Sequence, residues 1–387
     1  MIQYVEFYKR KGKQMNSIFT KEPINNRRQV ELDIAKGLAL VFMIWVHTNE
    51  YYQGAKYHGG VYNRIVEFLG SPPAAPVFMF LLGLGIVYSS QSTPVKLMKR
   101  GIALFISGYV LSFCRDVIPY VLLFRKERDI EILVEAWDLL LGVDILQFAG
   151  LAFLFFAAVK KYHMTQQTLF IIWCAFASLH MVLRDITFSS DLANAFFGLF
   201  WGTDDYSWFP FLNWITYPML GYVCGQWLQY CQDKKALYQK IFLFTASISI
   251  PLWIYSYVND VQFGAFGELW QQAYYHHDLM GSLVLSAFAL FWISVCYFML
   301  PFIPEFLKTA LTRWSKNVNM LYCIHYTILG FSILVLDAEG YHPIMVCLIT
   351  VIILCASDYI CSLYNNRKKI NIRNTFLLKE DVQDNIS

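Results

Sequence analysis

The chain has 387 residues, 57% hydrophobic and 18% aromatic, with only 15% charged and a formal net charge of +3. Soluble globular domains average roughly 25% charged residues, so this composition excludes an ordinary soluble globule and points to a membrane protein. The nine cysteines lie in or beside apolar runs without a CxxC pair or Cys/His metal spacing, so neither a disulfide framework nor a metal centre is expected.

Residues 1–26 are basic but have no apolar core ahead of a small-residue cleavage site, so no signal peptide is read there. Hydrocarbon about 30 Å thick needs roughly 20 helical residues. Ten stretches qualify: 34–51, 74–91, 101–124, 137–159, 167–183, 208–230, 240–258, 280–301, 317–336 and 343–364. The patch DLANAFFGLF (191–200) is too short to span and reads as an interfacial or re-entrant helix. With both termini inside, 24 of the 31 Lys and Arg residues fall in inner segments, leaving Lys56, Arg64, Arg115, Arg125, Lys126, Arg128 and Arg184 outside. The reverse orientation violates the positive-inside bias at every loop.

The expected fold is therefore all-α, a polytopic membrane helix bundle of about ten transmembrane helices with both termini cytoplasmic. A basic segment (1–30) precedes the membrane domain (31–366), and a polar tail (367–387) follows, read as disordered after Arg373. Membrane lipid is an expected partner and a homodimer is left open. Nucleic acid is not expected, because the basic residues are scattered over separate loops beside the bilayer.

Candidate chemistry gathers on the outer side. The first span, in RRQVELDIAKGLALVFMIWVHTNEYYQGAKYH (27–58), ends on His47, with His58 beyond it. Glu50 and Tyr51 follow His47 by three and four residues, on one face if the helix continues. A carboxylate beside an imidazole fixes its tautomer and raises its basicity, as a general base requires. The plain reading of His47 is a capping or snorkelling histidine, and His180, His276, His277 and His342 read as interfacial. His325 falls near mid-membrane and His163 on the inner side.

Arg115 and Asp116 lie within the third span and Asp144 within the fourth, where an unpaired charge costs several kcal/mol. Adjacent helical residues point about 100° apart, so one of the pair is expected to meet Asp144 or Glu50 in a polar pocket, catalytic or merely pinning helices. In SPPAAPVFMFLLGLG (71–85), prolines set a kinked start and Gly83 and Gly85 permit close helix approach. The loop WGTDDYSWFPFLNW (201–214) offers Trp201, Asp204 and Asp205 for a sugar, though an aromatic belt explains the same composition.

Taken in order, R…LDxxKG-apolar-H, PPAAPVFMFLLGLGIVYS, LMKRG, DILQFAGLAFLF, FPFLNWITYPMLGYVCG (209–225) and NVNMLYCIHYTIL (317–329) resemble the transmembrane acyltransferases. The likeness is greatest to the catalytic domain of heparan-α-glucosaminide N-acetyltransferase and its bacterial relatives, with the acyltransferase-3 family more distant. The first four segments, over about 27–155, are the more specific, and the whole covers about two thirds of the chain.

The resemblance implies acyl transfer, with acetyl favoured, from cytoplasmic acyl-CoA as co-substrate to a glycan or glycolipid beyond the membrane. It also implies a multi-pass protein of the bacterial inner membrane. In acyltransferase-3 relatives the histidine ending helix 1 is catalytic, which corresponds to His47. The heparan enzyme has asparagine there and its histidine eleven residues on, which corresponds to His58. His47 is favoured, because a helix end is held more rigidly than a loop.

Catalytic candidates are thus His47, His58, Glu50, Arg115, Asp116 and Asp144, with Tyr51, Trp201, Asp204 and Asp205 for the acceptor. Arg27, Arg28, Lys36, Lys99 and Arg100 would hold the donor's phosphates, with Lys96 in reserve. Lys36 stands where relatives carry Arg and lacks the bidentate fork. A proton- or ion-coupled transporter is the alternative, although no paired broken helices or repeated halves support it.

Overall fold

Carboxylates in the first turn favour a helix N-terminus, and α1 (Val30–Tyr52) begins with Glu31 and Asp33. The computed structural model describes residues 18–202, 207–264, 274–337 and 340–384, and in it both acids are buried and paired. Lys234 forms an ion pair with Glu31, to which Tyr238 Oη also donates at 3.1 Å. Arg28 Nη2 and Ser315 Oγ donate to Asp33 at 2.7 and 2.9 Å. The start of α1 is thereby tied to later parts of the chain.

α1 is followed by α2 (Val61–Gly70), α3 (Ala75–Tyr88), α4 (Pro94–Ser112), a π-helical turn (Phe113–Val117) and α5 (Ile118–Glu127). Next come α6 (Glu131–Leu141), α7 (Ile145–Lys161), α8 (Gln166–Leu183), α9 (Asp191–Gly198) and α10 (Phe211–Trp214). Then follow α11 (Thr216–Gln229), α12 (Lys234–Asn259), α13 (Leu279–Met299), α14 (Glu305–Lys316), α15 (Val318–Ser332) and α16 (Pro343–Asp384). No β-strand occurs among the described residues, so the all-α expectation holds for them.

Six described stretches are long and apolar enough to cross a membrane: Val61–Tyr88, Pro94–Glu127, Gln166–Leu183, Lys234–Asn259, Leu279–Phe302 and Pro343–Lys368. The other four predicted spans differ for identifiable reasons. α1 is interrupted by polar groups, including buried Thr48 and Asn49. The predicted 137–159 span breaks between α6 and α7, while α11 and α15 are only 14 and 15 residues long. α1, α7, α11 and α15 are the inner helices, with much of their length buried.

Two further boundaries change. The second span is longer than predicted, because α2 and α3 form one apolar stretch from Val61. The disordered tail is corrected, because α16 keeps a helical backbone past Arg373 to Asp384. α9 is too short to span and leaves Leu192 and Phe196 exposed.

Glycine sets the spacing between α3 and α11. A Cβ on Gly83 would lie 1.8 Å from the Pro218 carbonyl oxygen, and one on Gly221 would lie 1.9 Å from that of Phe80. Gly85, expected to serve the same approach, faces open space instead. Overpacking such a contact costs roughly 1–3 kcal/mol, so Gly83→Ala should lower the melting temperature in detergent while Gly85→Ala leaves it nearly unchanged.

Candidate active site

Proline creates the first feature of the site. Pro119 has no N–H for the Arg115 carbonyl one helical turn earlier. The chain widens into the π turn Phe113–Val117, closed by the Ile118 N–H on the Phe113 carbonyl. The turn buries both Arg115 and Asp116. Arg115 Nε donates to Asp116 at 2.8 Å and Nη1 to Asp144 Oδ2 at 2.9 Å, while its guanidinium lies 4.5 Å over the Tyr326 ring.

Asp144 is the N-cap of α7, where its Oδ1 accepts from the Ile145 N–H at 2.6 Å and from Tyr322 Oη at 3.0 Å. α15 reaches this cluster because Gly330 permits it: a Cβ there would sit 2.0 Å from the Arg115 carbonyl oxygen. Of the two expected partners of Arg115, Asp144 holds it.

His47 lies beside this ion cluster. Its Nε2 is 2.8 Å from Tyr326 Oη and its Nδ1 is 3.2 Å from His325 Nε2. α1 continues past His47 to Tyr52, so Glu50 and Tyr51 reach the same place. His47, Glu50, Tyr51, Arg115, Asp116 and Asp144 all line one cavity of about 480 Å³, with Tyr322 and Tyr326. Tyr120, Glu135, Trp208, Phe209, Tyr274 and Tyr275 also contribute to its wall. The cavity is thus rich in aromatic rings and carboxylates.

Not every expected residue reaches this cavity. His58 follows a short 3₁₀ turn, is exposed, and is absent from the wall. Trp201 stacks on Phe197 at 4.8 Å, and Trp208 takes the place expected of it. Asp204 and Asp205 lie outside the described residues. His325 and Tyr326 were overlooked as a pair, and their only sequence signal was a polar His-Tyr step inside an apolar span.

The wall at Tyr274 and Tyr275 is held from behind. His277 Nε2 meets Tyr217 Oη at 2.6 Å and its Nδ1 donates to the Tyr274 carbonyl at 2.8 Å. Trp214 Nε1 donates to the Tyr275 carbonyl at 2.7 Å. Burial pushes the His277 imidazole down to about 4, against an opposing effect of the Tyr274 carbonyl, and burial also lowers His276 to about 4.

A second cavity, about 190 Å³, adjoins the first. Lys36, Phe78, Gly85, Arg100, Phe153 and Asn319 line it, and Ile145 and Tyr322 belong to both walls. Arg100 stacks 4.4 Å over Phe153, and Lys36 lies 5.8 Å from the Phe78 ring centre. The other basic candidates are elsewhere: Arg28 is paired with Asp33, while Arg27, Lys96 and Lys99 are exposed and outside the lining. Among the described residues, no cluster of His, Cys, Asp and Glu has the makings of a metal site.

Apolar helices surrounding a histidine, an ion cluster and two adjoining cavities define a multi-pass membrane protein with reactive groups inside its bundle. Residues 28–258 match the catalytic domain of heparan-alpha-glucosaminide N-acetyltransferase, and the chain belongs to that family of membrane acetyltransferases. No curated protein matches the chain. The matched residues include His47, Arg115 and Asp144 but end before Tyr322, His325 and Tyr326, which complete the cavity.

Two measurements test the architecture of the site. Removing one partner of a buried ion pair costs about 3–5 kcal/mol, so Asp144→Ala should lower the melting temperature sharply and Asp144→Asn less so. The unfolded His277 takes up a proton near its ordinary pH of 6.5, the folded one only near 4. Its contribution to stability is therefore complete above pH 6.5 and lost as pH falls toward 4. Melting temperature should decline across that window, less steeply in His277→Gln, with His276 supplying the remaining slope.

Proposed function

We propose that this protein is an acyl-CoA-dependent membrane acyltransferase with ten spans and cytoplasmic termini, residing in a bacterial inner membrane. It moves an acetyl or other short acyl group to a glycan on the outer side. The observation that carries this reading is the pair of cavities that share Ile145 and Tyr322 in their walls, one cationic and one holding His47. Acyl-CoA is a polyanion that cannot cross hydrocarbon, so its phosphates stay with Lys36 and Arg100. Lys36 and His47 stand eleven positions apart on α1, about 16 Å of helix. The uncharged pantetheine arm and acyl group would follow that path between Ile145 and Tyr322.

The acceptor enters the larger cavity. Aromatic walls suit the faces of a sugar, and Glu50 and Glu135 suit its hydroxyls or an amino group. The nucleophile takes the place of Tyr326 Oη at His47 Nε2 and loses a proton to that nitrogen as its oxygen or nitrogen bonds to the thioester carbonyl. The C–S bond then breaks, and the imidazolium returns the proton to the leaving thiolate. Arg115 is better suited to fix Asp144 than to hold the oxyanion, because two carboxylates already neutralise it. His58, exposed and outside the wall, is the weaker candidate for the base. The family match gives no support to the transporter alternative.

The test uses purified full chain in nanodiscs with acetyl-labelled acetyl-CoA and an amino-sugar glycan. General-base removal typically costs 10²–10⁴-fold, so His47→Ala should lose at least about 100-fold in kcat while His58→Ala stays within about threefold. Arg100→Ala should raise KM for acetyl-CoA more than it lowers kcat. Wild-type rates in His47→Ala would sink the residue assignment. No acetyl-CoA binding, with transport of a solute into vesicles, would sink the reaction itself.

A further inference from the structure

His325 is fully buried on α15, and both of its ring nitrogens are occupied. Nδ1 lies 3.1 Å from the carbonyl of Leu321, one helical turn earlier, and Nε2 lies 3.2 Å from His47 Nδ1. The two imidazole planes are within 6° of parallel and their centres are 5.5 Å apart. The N···N distance plus the two ring radii accounts for that separation. The rings therefore meet edge to edge in a common plane, where N–H bonds and nitrogen lone pairs point.

Hydrogen positions along this chain follow from its one fixed end. A backbone carbonyl only accepts, so the hydrogen in the bond to Leu321 belongs to His325 Nδ1. In a neutral ring Nε2 then has a lone pair and no hydrogen. The hydrogen between the two rings must come from His47 Nδ1. This leaves His47 Nε2 bare, with its lone pair directed to Tyr326 Oη, which donates to it across 2.8 Å. The basic nitrogen is thus the one facing the cavity wall formed by Tyr326.

We propose that His325 is a positioning residue that holds His47 in its Nδ1–H tautomer and presents Nε2 to the acceptor. This rests on the reading of His47 as the base. A carboxylate does this work in a Ser-His-Asp triad; here a neutral imidazole does it, secured by a main-chain carbonyl. His325 cannot pass its own proton onward, because the Leu321 carbonyl is not a base. It stays neutral through the reaction, and the proton taken from the acceptor stays on His47.

A buried histidine that merely caps its own helix carbonyl predicts something different, and two variants separate the cases. Gln places an amide oxygen near the position of His325 Nε2 and can accept from His47 Nδ1, whereas Leu cannot. Wrong-tautomer variants of triad enzymes lose up to about 10⁴-fold in kcat; His325→Leu should lose about 100-fold with KM for acetyl-CoA within about twofold, and His325→Gln should recover to within about tenfold of wild type. Nitrogen-15 NMR of histidine-labelled protein reads the tautomer without any turnover. His47 should show protonated Nδ1 and bare Nε2 in wild type and in His325→Gln, and a tautomer mixture in His325→Leu.

Equal loss of rate in both variants, or a His47 carrying its hydrogen on Nε2 in wild type, overturns the proposal. If the NMR pattern is as stated but acetyl-CoA yields no transfer in wild type, the acyltransferase reading fails while the tautomer assignment stands.

Discussion

A guanidinium inside a helix bundle must be neutralised where it lies, and the arrangement around Arg115 answers that demand. Asp116 comes from the same π turn, Asp144 from the cap of α7, and Tyr326 contributes its ring from α15. An uncompensated charge at that depth would cost more than most single contacts return. Three separate segments are therefore locked in mutual register by one side chain. Tyr326 reaches from Arg115 to His47, so the register that satisfies the charge also orients the histidine.

Much of this is legible in the sequence. Positive charge at one end of α1 and a histidine at the other were plain from residues 27–58, and the 3.6-residue period correctly placed Glu50 and Tyr51 beside His47. The cost of leaving either alone implied that Arg115 or Asp116 meets Asp144 or Glu50, and of these the structure pairs Arg115 with Asp144. The π turn was not anticipated, although Pro119 signalled that the Arg115 carbonyl lacked its usual donor. Periodicity assumes constant pitch and cannot show where a helix widens.

Other parts depended on neighbours distant in sequence. Lys99 and Arg100 look interchangeable in LMKRG and both are exposed, yet one helical step puts Arg100 over Phe153 in the cavity wall and leaves Lys99 outside it. Trp201 and Trp208 flank the same loop with similar chemistry, and only the return of the chain toward α7 selects Trp208. α1, one of the four predicted spans that fell short, carries buried Thr48 and Asn49 at its end. Hydropathy penalises a residue for being polar without knowing that another helix will cover it.

The partition formed by Ile145 and Tyr322 has a consequence for the membrane as a barrier. Transporters prevent leakage by opening to one side at a time, which requires large parts of the molecule to move. Here the two cavities share Ile145 and Tyr322 in their walls, and the tyrosine is tethered through Asp144 to Arg115. On the proposed acyl-CoA reaction, a slender thioester arm passing between these residues would fill the gap that it opens. The reactant would then be its own seal, and that reaction would need no rocking of the bundle to keep the membrane tight to protons.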